Sequence, residues 1–163
     1  MQLYFLKRGK VNLIKVQYLE IPITHIVFNI VKIITIVIMS VFYISAGINH
    51  FYDTNWFLKI MPPYIPYHLE LVYISGIFEI LLGSLLLFNR TRKYAAYGLI
   101  LLLIAVFPAN IYLAFNEEPQ KLISISSLMA SWVRLPLQFV LIGIAYWHSK
   151  NKVQITPAMI PRK

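Results

Sequence analysis

Glu79 lies near the middle of one long apolar run of this sequence, and Arg134 lies inside another. An ionised side chain in hydrocarbon is costly, so such residues normally face a bundle interior, find partners and mark a site. Five further polar residues accompany them: Asn49, His50, Ser75, Asn110 and Gln138. A carboxylate and an imidazole can exchange a proton, and histidine has an ordinary pKa near neutrality. A guanidinium and amides can donate hydrogen bonds to a carbonyl or an anion. Gln138 falls one turn from Arg134 on the same helical face, and Ser75 one turn from Glu79.

The elements that position these groups are apolar and long. The apolar fraction is 59% and the mean hydropathy +0.68, against about 45–50% apolar residues in soluble domains. The excess gathers into four segments, Ile26 to Gly47, Leu69 to Phe88, Tyr94 to Phe115 and Ile125 to Trp147. Each is close to the roughly 20 residues that a spanning helix needs. The expected fold class is therefore all-α, an integral membrane four-helix bundle. Residues 1–25 form a basic juxtamembrane segment with the spacing of an interfacial helix, which Pro22 separates from the first span. Residues 26–148 form the membrane domain, and residues 149–163 a basic tail. No cleavable signal peptide is expected, because the first apolar run is too long for one.

The formal charge is +9. Its distribution reads as topology rather than as a nucleic-acid footprint. Eleven basic residues lie in the N-terminal segment, the loop around Arg90, Arg92 and Lys93, and the tail, against two in the other loops, Lys59 and Lys121. Both termini are expected to be cytoplasmic. Lys32 is expected to snorkel toward the inner boundary. The chain has no cysteine, which excludes a thiol relay, a zinc–thiolate site and cysteine-ligated iron–sulfur. No His/Glu pair has a recognisable metal spacing.

At about 1.5 Å per residue, Glu79 and Arg134 both lie roughly 15 Å below the outer face. Asn110, Asn49 and His50 lie nearer that face. Convergence from four segments describes a polar pocket open to the outside, with Glu79 and Arg134 paired across it. The alternative is charge compensation and interhelical hydrogen bonding with no ligand. Gly76 and Gly83 read as close-packing positions. Pro108 and Pro136 are expected to kink their helices.

The strings Ala46-Gly47-Ile48-Asn49-His50-Phe51, Met61-Pro62-Pro63-Tyr64-Ile65-Pro66 and Ser75-Gly76-Ile77-Phe78-Glu79-Ile80-Leu81-Leu82-Gly83 occur in that order. Phe107-Pro108-Ala109-Asn110-Ile111 and Arg134-Leu135-Pro136-Leu137-Gln138 follow. Together they resemble the DoxX-like family of small four-helix membrane proteins, over about residues 30–148. The resemblance implies a four-helix bundle in the bacterial inner membrane. Some relatives are subunits of a thiosulfate:quinone oxidoreductase, so a quinone-like ligand and a soluble redox subunit are the implied cofactor and partner. Any activity would be that of a membrane subunit, because the chain has no flavin, haem or metal motif of its own. In that reading Arg134 and Gln138 donate to the ligand, Glu79 balances Arg134 or moves a proton, and His50 exchanges protons with the outside. The competing expectation is a non-enzymatic assembly or chaperone-like partner of another membrane protein.

Overall fold

The computed structural model describes residues 23–150. The interfacial-helix expectation for residues 1–25 and the basic tail fall almost wholly outside them. Helices α1 (Ile23–Tyr52), α3 (His68–Leu86) and α4 (Arg92–Phe115) are three of the long elements, with short α2 (Thr54–Lys59) between the first two. Short α5 (Glu117–Leu122) follows α4, and a π-helical stretch (Met129–Arg134) runs into α6 (Leu135–Lys150). Four helices are long and apolar enough to cross a membrane: 26–52, 68–86, 92–115 and 129–150. The chain is a multi-pass helical membrane protein.

Burial along α1 explains the bundle. Lys32, Ile36, Met39, Ser40, Tyr43, Gly47 and His50 are buried, a seam at helical spacing. The opposite face exposes Val31, Ile34, Val37, Ile38 and Val41. An exposed face more apolar than the buried one is the arrangement that lipid, not water, stabilises. α1 packs on α3, α3 on α4, and α4 on α6. Gly47 and Gly76 make the first contact close: a Cβ on Gly47 would stand 2.6 Å from the Gly76 carbonyl oxygen. Gly83 likewise lies against Tyr43 and Ser40, so the packing reading of Gly76 and Gly83 holds.

At one end of the bundle α1 also meets α6, through an edge-on contact of the Phe28 and Trp147 rings at 5.5 Å. Lys32 is fully buried there, donating from Nζ to the Trp147 carbonyl at 3.4 Å. The snorkelling expectation is thus corrected: the ammonium lies 5.4 Å from the centre of the Trp147 ring and bonds a helix carbonyl. The core beside it is dry, built from Ile36, Met39, Leu86, Ala95, Ala96, Leu99 and Ala145. At the other end, the Tyr52 end, a second cluster of Ile60, Leu113 and Ala130 ties the α2 region to α4 and the π-helix.

Several boundaries differ from the sequence expectation. α1 continues to Tyr52, since nothing breaks it before Asp53, whose carboxylate accepts from the Trp56 N–H and starts α2. The fourth span starts later than Ile125, and the preceding loop contains α5. Arg92 is not a loop charge. It opens α4, buried, and donates to the carbonyls of Leu86 (3.0 Å) and Leu87 (3.1 Å), closing the end of α3. Gln120 is buried too, donating to the Leu113 and Ala114 carbonyls at the end of α4.

Candidate functional site

The α1–α3 contact builds the first pole of the site. Because Gly47 and Gly76 let the two backbones approach, His50 Nδ1 comes within 3.3 Å of Glu79 Oε2. The same nitrogen lies 2.9 Å from the Ala46 carbonyl. Phe57 stacks on the imidazole face, ring centroids 3.7 Å apart and 23° between planes. Tyr43, two turns from His50 on the same seam, has a buried hydroxyl with no hydrogen-bond partner among the described residues.

The α4–α6 contact builds the second pole as a directional relay. Arg134 Nη2 donates to Asn110 Oδ1 at 3.1 Å, and Asn110 Nδ2 donates to Gln138 Oε1 at 2.9 Å. Gln138 Nε2 in turn donates to the Leu103 carbonyl. Arg134 closes the π-helix. Pro136 has no N–H for the carbonyl four residues earlier, and the turn before it is widened into π geometry. The kink expected at Pro136 is thus realised as a π-helix that sets the position of the arginine. The Trp56 ring lies 5.5 Å from the guanidinium carbon.

Between the poles is a cavity of about 780 Å³, in the size range of small-molecule sites. Its walls are mostly apolar and include Phe78, Leu102, Val106 and Leu137. Trp56 and Phe57, neighbours on α2, roof it at the Tyr52 end, one over each pole. Tyr43, Leu82 and Leu141 line it on the side of the dry core. All seven residues singled out from the sequence line this one cavity: Asn49, His50, Ser75, Glu79, Asn110, Arg134 and Gln138.

Their roles within it are unequal. Glu79 and Arg134 do not pair: no ion pair within 4.0 Å joins them, and the partner of Glu79 is His50. Equal depth does not bring two side chains together when one faces α1 and the other faces α4. Gln138 is buried with both ends of its amide engaged by Asn110 and Leu103, so it positions the relay rather than presenting a donor. Ser75 donates to the Val72 carbonyl of its own helix at 2.9 Å, and Asn49 is exposed. The sequence did not single out Tyr43, Trp56 or Phe57 as cavity residues. The spacing of Tyr43 from His50 was the available signal for the first. Nothing in the sequence distinguished the other two from belt aromatics.

Neither the curated proteins nor the solved structures contain a match to this chain. A family model does match, over residues 39–149, well over half of the chain and a range that includes every polar residue of the cavity. The chain belongs to the family described as "Domain of unknown function (DUF8561)".

Proposed function

We propose that the chain is a bacterial inner-membrane protein that takes a quinone-like ligand into this cavity, as the membrane subunit of a redox complex. The observation that carries the reading is the cavity itself, with a hydrogen-bond-donor pole at Arg134 and a proton-exchanging pole at His50 and Glu79. A polar network that only glues helices needs no cavity of ligand size between its halves. Reducing a quinone to its quinol takes electrons and protons together. Here the protons pass through His50 and Glu79, and the electrons come from a soluble redox subunit. The DoxX-like sequence strings support that assignment.

The positive-inside asymmetry orients the Tyr52 end outward, with both termini cytoplasmic. Single cysteines are a clean probe in a cysteine-free chain. An impermeant thiol reagent applied from outside should label N55C and E118C and leave T91C unlabelled. Outside labelling at position 91 would overturn this orientation.

Ligand binding is tested by melting the purified protein with increasing short-chain ubiquinone. The expected result is saturable stabilisation, about 2.7 kcal/mol at a hundredfold excess over Kd. A flat response across a panel of short-chain quinones would remove the reading. The relay from Arg134 to the Leu103 carbonyl, closed within α4 and α6, favours a second reading, in which the polar groups are internal glue of a non-enzymatic assembly partner. Co-purification with a membrane client unrelated to redox chemistry would support it.

A further inference from the structure

Resting on the reading of the cavity as a ligand site, we infer that the ligand head held at Arg134 is an oxyanion, its charge shared over two oxygens on a flat apolar body. A guanidinium stays protonated in proteins. Two contacts of a basic with an acidic side chain within 4.0 Å join described residues, His50 with Glu79 and Lys121 with Glu117, and neither includes Arg134. The hydrogen bond from Nη2 goes to a neutral amide, and that amide hands on to another amide and a carbonyl, so the relay orients the charge without neutralising it. Arg134 Nε is buried with no hydrogen-bond partner among the described residues. The Trp56 face attracts the cation but carries no net charge.

The walls of the cavity are mostly apolar, Val106 and Leu137 among them, and the one polar group bonded to the guanidinium is the neutral amide of Asn110. A half-buried cation facing a mostly apolar cavity without a counter-charge favours an anion there. The planar fork of arginine fits a head with two oxygens, which it can hold through paired hydrogen bonds. Glu79 does not meet the demand from within the chain, since its carboxylate lies at the other pole, beside His50, and no ion pair joins it to Arg134. The ligand therefore presents its charged head to Arg134 and its uncharged end to His50 and Glu79. The enolate of a hydroxyquinone and an arenecarboxylate share this chemistry.

Matched pairs of equal shape separate charge from fit. Full-length protein in detergent is titrated with 2-hydroxy-1,4-naphthoquinone, ionised at neutral pH, and with its neutral 2-methoxy analogue. A second pair is 4-hexylbenzoate and 4-hexylbenzamide. Saturable thermal stabilisation is read for each, with partition into empty micelles measured separately. The expected result is at least about tenfold tighter binding of the anion within a pair, and loss of that preference in Arg134→Gln. The benzoate pair provides the test in the wild-type chain if that variant does not fold. Preference for benzoate with no binding of either naphthoquinone would support the oxyanion and remove the quinone. Equal binding within both pairs would overturn the oxyanion while leaving the quinone pocket standing. No saturable response from any of the four would overturn both.

Discussion

His50→Leu, with Glu79 retained, should cost about 1–3 kcal/mol of stability, the typical loss when a buried polar group is left without its partner. The 3.3 Å contact is the only ion pair that Glu79 makes among the described residues, and both side chains are largely buried. Leucine keeps the bulk beneath Phe57 but leaves the acid with nothing to share its charge or proton. Changing both residues to leucine should recover much of that loss, because a buried pair replaced by apolar groups is often neutral or better. A double-mutant cycle in one detergent should therefore give a coupling of about 0.5–3 kcal/mol for His50 and Glu79. The same cycle for Glu79 and Arg134 should be additive to within about 0.5 kcal/mol. Additivity at the first pair, or strong coupling at the second, would contradict the partner assignment.

Gly47→Ala should be comparably damaging, at the upper end of the roughly 1–3 kcal/mol typical of overpacking. The added Cβ would stand 2.6 Å from the Gly76 carbonyl oxygen, 2.7 Å from Ile80 Cγ1 and 3.0 Å from Glu79 Cβ. The first of these is backbone and cannot rotate aside, so α1 and α3 must separate. Separation also lengthens the His50–Glu79 contact, which ties the packing of the helices to the chemistry of the site. Gly143→Ala is the control. Nothing lies within 4 Å of a Cβ there, and alanine should raise helix stability by about 0.5–1 kcal/mol. Denaturation of the two variants in parallel checks the contrast. Equal effects at Gly47 and Gly143 would mean that the close helix approach carries no energy.

The sequence made the depth of each polar residue legible, but not its direction around the helix axis. Depth follows from counting residues along a span, and it brought residues from all four segments to one cavity. Direction is set by which helices touch. The Gly47–Gly76 contact turns Glu79 toward His50, while Arg134 faces Asn110 across the contact of the π-helix with α4. The glycines were visible, but their partners were not. Lys32 shows the same limit. Its position near a span boundary suggested water, and its burial beside Trp147 is a tertiary fact. Trp56 and Phe57 have the composition of an interfacial belt. They become a roof over two poles because α2 folds back across the bundle, a tertiary event with no local signal.

Photo-cross-linking tests most directly whether the cavity is where the ligand goes. A benzoquinone carrying a short diazirine tail, irradiated with the protein in lipid nanodiscs and mapped by peptide mass spectrometry, reports position residue by residue. Adducts are expected on cavity walls such as Tyr43, Leu103 and Leu141, and excess unlabelled quinone should compete them away. Adducts confined to outward-facing positions such as Ile38, Trp132 and Phe139, and unaffected by competitor, would contradict the account, because the probe would then be reporting lipid and not a site.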